Sequence, residues 1–358
     1  SCLYRATLFP QKHYEIDANG EVVHYSPHNG KVEKGYFYTG TGFWDTFRSL
    51  FPLLNMLYPS ENKKMQEGFV NVYKESGFYP EWSSPGHRGC MVGNNSASVL
   101  ADAYLKGVKV DDVETMYEGI LHGTKNVHPQ VSSTGRIGHE YYNTLGYIPY
   151  DVKINENAAR TLEYAYDDWC IAQLAKELGK KEEHNFFMQR SFNYRKLFNK
   201  ETGFFHPKDA KGEFIQPFDY IFSGGIGARA YYDENNAWTY IWDVHHNIGD
   251  LVALFGSPER FVAKLDQLFN EGMQRSKWQY YAVHPDSSGN VGQYVMGNEP
   301  SFHIPYLYCY AGEPWKTQKR IRMLMESWFR NDLMGICGDE DGGGMSAFYV
   351  FSAMGFYP

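Results

Sequence analysis

The apolar positions of this chain recur mostly at helical spacing. In the segment 156–178 an apolar residue returns at every fourth position, at Leu162, Tyr166, Cys170, Leu174 and Leu178. Gly179 follows as a C-terminal cap, so the pattern predicts an amphipathic helix. The segment 257–269 gives a second one, because Ser257 is a suitable N-cap and Pro258 a suitable first helical residue ahead of an apolar face.

Weaker helical patterns cover nine further segments, near 44–58, 61–76, 92–106, 110–124, 183–198, 238–254, 301–310, 315–330 and 345–354. Long polar, turn-forming connections lie between them, at 77–89, 127–143, 202–230, 281–300 and 335–344. A short hairpin is expected within 204–230. About eleven helices joined by alternately short and long loops predict a toroid of helical hairpins whose long loops line one mouth. No linker or repeat interrupts the pattern, so residues 1–358 are expected to form one domain.

Composition excludes several classes of function. The net charge is −8 and Lys/Arg runs never exceed a pair, which argues against a nucleic-acid partner. No apolar run has the length of a membrane span. The five cysteines form no CxxC and no zinc-type spacing with histidine. The aromatic content of 17% fits a carbohydrate-binding cleft and fits an aromatic-rich helical core equally well.

An acidic, glycine-rich turn is the first candidate for chemistry. Asp339 and Asp341 are two residues apart and precede three glycines, so both carboxylates can face one side and bind a hard cation, polarise a water, or both. The alternative is a solvated turn that caps the helix after Ser346. Because EF-hand spacing is missing, a calcium ion would need ligands that are distant in sequence.

Glu234 is the second candidate. It stands before a helix among tyrosines and tryptophans, a setting that favours the neutral form and suits a general acid. Asp233 is its rival. The alternative is that one of the two only stabilises the N-terminus of the helix.

Two further groups of residues complete the candidates. Asn298 and Glu299 offer oxygen ligands of the kind calcium prefers, although a polar loop explains them as well. His303 fits a core histidine better than a ligand. The pairs Trp44–Asp45 and Trp82–Arg88 each combine an aromatic plane with a charge, which suits a sugar. A structural tryptophan beside a helix start explains Trp44 and Asp45 nearly as well.

Several segments, in order along the chain, closely resemble glycoside hydrolase family 92, the calcium-dependent α-mannosidases. They are Phe43–Arg48 (FWDTFR), Thr161–Trp169 (TLEYAYDDW), Glu234–Trp238 (ENNAW), Gly297–Ser301 (GNEPS), His303–Tyr308 (HIPYLY) and Gly338–Gly343 (GDEDGG), which runs on to Pro358.

The resemblance implies an (α/α)6 toroid that hydrolyses terminal α-linked mannose, through an α-1,2 or related linkage, with inversion. It implies that Glu234 protonates the leaving oxygen, that Asp339 and Asp341 activate water, and that Asn298, Glu299 and Asp341 hold Ca²⁺. The implied substrate-binding residues are Trp44, Asp45, Trp82, Arg88 and His303. The family's N-terminal β-sandwich is absent from this chain, so the domain is expected to be incomplete at both ends. A secreted, periplasmic or cell-surface location is expected.

The chain also departs from the family pattern. It has Val244–Asn247 (VHHN) where a VPHD run is usual, Phe302 where a histidine is frequent, and Gly344 and Phe348 where glutamine and tryptophan are expected. Two alternatives therefore stay open: a non-catalytic module that binds mannose or another glycan, and an (α/α)6 glycosidase with another sugar specificity.

Overall fold

The computed structural model describes residues 1–222 and 224–358. The α-helices in these residues are α1 Cys2–Ala6, α2 Phe43–Thr46, α3 Leu50–Leu57, α4 Pro59–Ser76, α5 Ser96–Leu105, α6 Val113–Gly123, α7 His139–Leu145, α8 Asn157–Glu177, α9 Lys181–Arg190, α10 Ala237–Tyr240, α11 Ile248–Leu254, α12 Pro258–Leu268, α13 Lys277–Val283, α14 Pro314–Trp328 and α15 Gly344–Met354. Short 3₁₀ segments lie at Tyr150–Val152, Asn193–Lys196, Ile226–Ala228, Glu299–Ser301, Ile304–Ala311 and Asp341–Gly343.

The strands are short, with two to four residues each. They are β1 Gln11–Lys12, β2 Glu15–Ile16, β3 Val22–Tyr25, β4 Val32–Lys34, β5 Tyr38–Thr39, β6 Thr41–Gly42, β7 Trp82–Ser83, β8 Phe198–Asn199, β9 Phe204–Phe205, β10 Asn290–Val291 and β11 Tyr294–Val295. β2, β3 and β4 form an antiparallel sheet, and the others pair as β1–β5, β6–β7, β8–β9 and β10–β11.

The helices pack as pairs that follow one another around a ring. The pairs are α3 with α4, α5 with α6, α8 with α9, α11 with α12, the segment Ile304–Ala311 with α14, and α15 with α1. Consecutive pairs also touch, because α3 meets α5, α5 meets α8, and α15 returns to α3. The last helix thus packs against the first ones and closes the ring. The predicted all-α, (α/α)6 architecture is confirmed.

The helix α8 joins the two large apolar clusters of the interior. Its first half contributes to one cluster and its second half to the other. The bounds predicted for this helix are right within one residue. Its predicted amphipathic character is wrong, because the charged Glu163 and Asp168 are buried along with the apolar residues. Asp168 accepts hydrogen bonds from Arg136, Arg190 and Tyr142, which makes burial of its charge tolerable.

Several predicted elements differ in detail. The segments 44–58 and 238–254 are each broken into two helices, and 301–310 is a 3₁₀ segment. The sheet β2–β4 and the helices α1, α7 and α13 were not predicted. In the region of the expected hairpin, β9 pairs in antiparallel fashion with β8, which precedes this region in the chain. An isolated bridge joins Lys208 to Phe214. Position 223, also in this region, lies outside the described residues.

Two further expectations concern the whole chain. Among the residues described, no helix combines the length and the apolarity that a membrane crossing requires. All five cysteines are free thiols.

Candidate active site

Three carboxylates from distant parts of the chain meet at one place. Asp45 lies in α2, Glu299 begins the 3₁₀ segment Glu299–Ser301, and Asp341 begins the segment Asp341–Gly343. One oxygen from each lies within 4.8 Å of the others. We call these three residues the carboxylate cluster. Their convergence agrees with the expectation that any cation here has ligands distant in sequence.

Three oxygens of the carboxylate cluster have no hydrogen-bond partner among the residues that the structure describes. Within residues 1–222 and 224–358, both carboxyl oxygens of Glu299 and Oδ1 of Asp45 are buried without a hydrogen bond. Burial raises the pKa of Asp45 and of Glu299 well above their ordinary values, and Asp341 raises both further. Burial also raises the pKa of Asp341 to about 6, with Asp339 adding to the effect. Unpaired hard oxygens within a group of converging carboxylates fit a cation of the calcium type.

Two glycines allow the loops of Glu299 and Asp341 to meet. A Cβ at Gly338 would lie 2.2 Å from the carbonyl oxygen of Gly297, and the backbone there has a φ of +68°. A Cβ at Gly297 would lie 3.0 Å from the Cα of Gly338. Only glycine fits such close backbone approaches, so these positions bring the two loops together.

The pair β6–β7 places Trp82 beside the carboxylate cluster. A Cβ on Gly42 would lie 2.1 Å from Nε1 of Trp82 and 2.6 Å from Oδ2 of Asp45, so both side chains crowd this glycine. Trp82 is partly exposed, and the guanidinium of the exposed Arg88 stands over its ring at 4.8 Å. Trp82 and Arg88 thus lie at the rim of the site, where a sugar ring could contact them. Their substrate role stays a prediction.

Glu234 faces the carboxylate cluster from a separate loop. It is 8% exposed, and its backbone has a φ of +62°, which is unusual for a residue with a side chain. Burial raises its pKa to about 7, and the charge of Asp286 adds to this, while the hydrogen bond from Asn298 opposes it. The charge of Glu234 in turn raises the pKa of Asp45 and Glu299. A carboxyl group protonated near neutral pH therefore borders the cluster.

Neither Glu234 nor Asp233 is the N-cap of the helix that follows them. Asn236 caps α10, since its side chain accepts from the backbone N–H of Trp238. The rival Asp233 is completely buried, and its carboxylate lies 3.0 Å from Nη1 of Arg229. Of the two neighbouring acids, Glu234 is the one with access to solvent.

The three acidic residues of the turn 339–341 lie in different environments. Glu340 accepts a hydrogen bond from the backbone N–H of Ser346, in the first turn of α15. This residue therefore has the capping role that the alternative interpretation gave to the whole turn. Asp341 belongs to the carboxylate cluster and has a φ of +45°. Asp339 is exposed and lies close enough to Asp341 to influence its pKa.

Asn298 uses its side chain for a task other than the expected metal ligation. Its Nδ2 donates to Oε2 of Glu234 at 2.7 Å, and its Oδ1 accepts from Nδ2 of Asn235 at 2.9 Å. Both polar atoms of the side chain are thus engaged by neighbouring side chains. The contacts of this side chain favour a role in orienting Glu234, and metal ligation by Asn298 stays an untested prediction.

Trp44 packs inside the protein. Only 1% of it is exposed, and its indole N–H donates to Oε1 of Glu163 at 2.9 Å. Arg48 donates to the same oxygen at 3.0 Å. These contacts favour the structural alternative for Trp44, in which it anchors the short helix that carries Asp45.

His303 lies away from the carboxylate cluster. It lines a cavity of 610 Å³ whose walls include Arg48, His245 and Tyr306 but none of the three carboxylates. Its Nε2 is 2.6 Å from the carbonyl oxygen of Trp242, and burial lowers its pKa well below the ordinary value. The contacts are those of a neutral core histidine.

Asp286 is a site residue that the sequence analysis missed. It is half-buried, its pKa is raised by burial, and it is near enough to Glu234 and Asp339 to interact with both charges. It follows α13 in a loop without a distinctive motif. Its sequence setting therefore gave no signal.

Two of the departures from the expected pattern compensate each other. Phe302 and Phe348 stack with ring centroids 5.0 Å apart in the interior. Gly344 lies where a Cβ would be 3.1 Å from the carbonyl oxygen of Asp45, so this position is close to the site without contributing a side chain.

Comparison with known proteins gives a consistent set of relatives. The family model "Glycosyl hydrolase family 92 catalytic domain" matches residues 1–358. An uncharacterized secreted glycosidase of Arthroderma benhamiae is 32% identical over 317 residues, which cover 81% of this chain and 38% of the relative.

Two solved structures are similar over the entire chain. A family GH92 inverting mannosidase of Bacteroides thetaiotaomicron has 45% identity and a TM-score of 0.90, and this chain covers 48% of it. A family GH92 α-mannosidase of the same organism, solved with mannoimidazole, has 32% identity and a TM-score of 0.88, with 46% covered. The chain thus spans about half the length of these solved relatives.

Proposed function

Because the chain belongs to glycosyl hydrolase family 92, we propose that it forms the catalytic part of an exo-acting α-mannosidase that inverts the anomeric configuration. The observation that carries the proposal is the position of Glu234, a carboxyl group with a pKa of about 7, beside the carboxylate cluster. A proton donor and a carboxylate that can take a proton from water are the two components that inverting glycoside hydrolysis requires.

Glu234 is the proposed general acid. Protonated near neutral pH, it gives its proton to the glycosidic oxygen as the bond to the anomeric carbon breaks, and the leaving group departs as an alcohol. Burial keeps the proton available for this transfer. Asp233 is unsuited to the role, because it is enclosed and paired with Arg229.

Asp341, with Asp339 beside it, is the proposed general base. It takes a proton from a water molecule that attacks the anomeric carbon from the opposite side, which inverts the configuration. An inverting pair leaves room for this water, with carboxyl groups about 6.5–9.5 Å apart. The origin of Glu234 and Asp341 in separate loops permits such a separation.

Asp45, Glu299 and Asp341 are the proposed ligands of a calcium ion. Their unpaired buried oxygens support the assignment, and three carboxylates leave further positions of a 6–8-coordinate ion for water and sugar hydroxyls. When bound, the ion would supply positive charge that polarises those hydroxyls and orients the water. The sequence-based assignment of Asp45 to the sugar is compatible with this, since the ion and the ring hydroxyls would share one region.

The names of the solved relatives support mannose as the sugar, and we propose an α-1,2 or related linkage in a mannose-containing oligosaccharide. We also propose that residues 1–358 form one (α/α)6 domain that works with a β-sandwich domain, since the relatives are about twice as long. An extracellular or periplasmic location is supported by the secreted glycosidase among the relatives.

The test is hydrolysis of α-mannosides by the natural full-length protein, with and without a calcium chelator. Proton NMR of the first product is expected to show β-mannose, and a panel of α-linked mannobioses would identify the linkage. Mannose binding without product would favour the glycan-binding alternative. Turnover of another glycoside with none of mannosides would favour a different sugar specificity.

A further inference from the structure

A chain of two side-chain amides ends on the proposed acid. Nδ2 of Asn235 donates to Oδ1 of Asn298 at 2.9 Å, and Nδ2 of Asn298 donates to Oε2 of Glu234 at 2.7 Å. Asn235 and Asn298 are both almost completely buried. Water therefore has little access to replace either bond.

The direction of this chain follows from amide chemistry. An amide offers an acceptor at its oxygen and donors only at its nitrogen. Since Oδ1 of Asn298 is engaged by Asn235, the side of Asn298 that faces Glu234 is its NH₂ group. Turning Asn298 over would place its NH₂ group against that of Asn235.

The arrangement distinguishes the two oxygens of Glu234. Oε2 receives an N–H and so acts as an acceptor, whether or not the carboxyl group is protonated. In the part of the chain that the structure describes, Oε1 makes no hydrogen bond, and its nearest cation, Nη2 of Arg229, is 3.7 Å away. Nη1 of the same arginine donates a hydrogen bond to Oε1 of Glu156 at 2.8 Å and lies 3.0 Å from Oδ1 of Asp233.

We propose that Asn235 is a positioning residue which, through Asn298, keeps the acidic proton of Glu234 on Oε1, the oxygen free to meet the substrate. The inference rests on the proposed function of Glu234 as general acid. In the step itself, the O–H bond at Oε1 breaks as the proton joins the glycosidic oxygen. The C–O bond electrons leave with the alcohol, and Oε2 of the resulting carboxylate keeps its hydrogen bond from Asn298.

Loss of Asn235 frees Asn298 to turn over. Its Oδ1 would then accept a hydrogen bond from Oε2 of Glu234 when that oxygen carries the proton, and the proton would point away from the substrate. The loss of Asn235 impairs proton donation alone. It therefore slows hydrolysis of substrates whose leaving group needs protonation, and it leaves unchanged the hydrolysis of substrates whose leaving group departs without a proton.

The experiment compares Asn235→Ser and Asn235→Leu in the natural full-length protein. Serine is too short to reach Asn298, and leucine has the same branched side-chain skeleton as asparagine but no hydrogen-bond donor. We expect kcat/KM for an alkyl or disaccharide α-mannoside to fall about tenfold, part of the 10²–10⁴ that acid–base catalysis supplies. For 2,4-dinitrophenyl α-mannoside we expect a change of less than about twofold, since its leaving group needs little protonation.

Asn236→Ser is the matched control. Asn236 is an equally buried neighbour that donates to Gln293 rather than to Asn298, and serine preserves its role as N-cap of α10. Its ratio of the two kcat/KM values is expected to equal that of the unaltered protein.

The outcomes separate this inference from the proposed function. If the Asn235 variants lower kcat/KM equally for both substrates, or for neither, the positioning role is overturned. Glu234→Gln, measured in parallel, tests the acid itself: a selective loss on poor leaving groups upholds the proposed function even when the Asn235 variants show none. If Glu234→Gln shows no selectivity, the proposed function and the inference both fail.

Discussion

Two residues with opposite proposed roles share an unusual backbone conformation. Glu234 and Asp341 both have positive φ angles, +62° and +45°, without being glycine. Such conformations cost about 1–3 kcal/mol and persist only where the surroundings enforce them. Both side chains are thereby turned toward one region, an arrangement that suits a proton donor and a proton acceptor acting on the same bond.

The pH dependence of hydrolysis follows from these two carboxyl groups. Glu234 must be protonated to donate, so the rate is expected to fall as pH rises through about 7. Asp341 must be ionised, so the rate is also expected to fall as pH drops through about 6, or lower where a bound cation stabilises the carboxylate. A profile of kcat/KM against pH measures both limits. A rate that stays constant from pH 6 to 9 would contradict the assignment of Glu234.

Removing the acidic proton of Glu234 gives a second prediction. Glu234→Gln keeps the shape and the hydrogen bond from Asn298 but has no acidic proton. We expect a loss of about 10²–10⁴ in kcat for alkyl mannosides, a much smaller loss for dinitrophenyl mannoside, and disappearance of the alkaline limit. Glu340→Gln serves as a control, since Glu340 caps α15 and is not part of the carboxylate cluster. An alkaline limit that persists in Glu234→Gln would identify another acid.

Sequence reasoning found these residues to different degrees. Glu234, Glu299 and Asp341 stand in loops beside aromatic or glycine-rich runs, so their setting marked them. Asp286 stands in an ordinary loop, and only the fold brings it to Glu234. Trp44 is the opposite case, a residue that the sequence marked although it lies in the interior. Its position next to Asp45 suggested a sugar site, but its indole N–H donates to Glu163 inside the protein.

Among the elements, the long regular helices were predicted best. The helices α8 and α12 begin and end close to the predicted residues, because the signals that start and stop a helix act locally. The site is built instead from short pieces such as α2 and the 3₁₀ segments Glu299–Ser301 and Asp341–Gly343. Their ends are set by close contacts between distant backbones. The close approach of Gly297 to Gly338 is such a contact, and no local sequence pattern predicts it.

The Gly297–Gly338 approach allows a prediction about the loops. Gly338→Ala would force the loops of Glu299 and Asp341 apart, because the new Cβ meets a carbonyl oxygen at 2.2 Å. With backbone strain of about 1–3 kcal/mol, calcium affinity is expected to fall roughly 5- to 150-fold. Isothermal titration calorimetry measures this.

Gly77→Ala is the matched control for that experiment. Gly77 has a φ of +82°, so alanine there is strained too, but no atom lies within 4 Å of the added Cβ and the site is elsewhere. Its calcium affinity is expected to be unchanged. Equal losses in the two variants would mean that general strain, and not separation of the loops, weakens the site.

For the whole molecule, calcium is expected to stabilise the fold. A ligand that binds only the folded state at a hundredfold its Kd adds about 2.7 kcal/mol to the free energy of unfolding. Thermal unfolding of the natural full-length protein with calcium and with a chelator measures the effect as a shift in Tm. Magnesium is expected to do less, because it demands a tighter octahedral geometry.

Glu299→Gln is expected to lose most of this stabilisation, since it removes a charged ligand with both oxygens unpaired. Glu340→Gln is expected to keep it. A Glu299→Gln protein with the same calcium-dependent rise in Tm as the unaltered protein would place the ion elsewhere.

The closure of the ring by α15 on α1 and α3 has a consequence for the order of folding. Asp45 and Asp341 join one cluster although nearly 300 residues separate them, a pairing of very high contact order. During synthesis, which proceeds from the N-terminus, the cluster cannot assemble until residue 341 has left the ribosome. Capture of a cation by all three carboxylates would therefore come after this turn is synthesised, and a nascent chain that stops short of the turn would lack one of the three ligands.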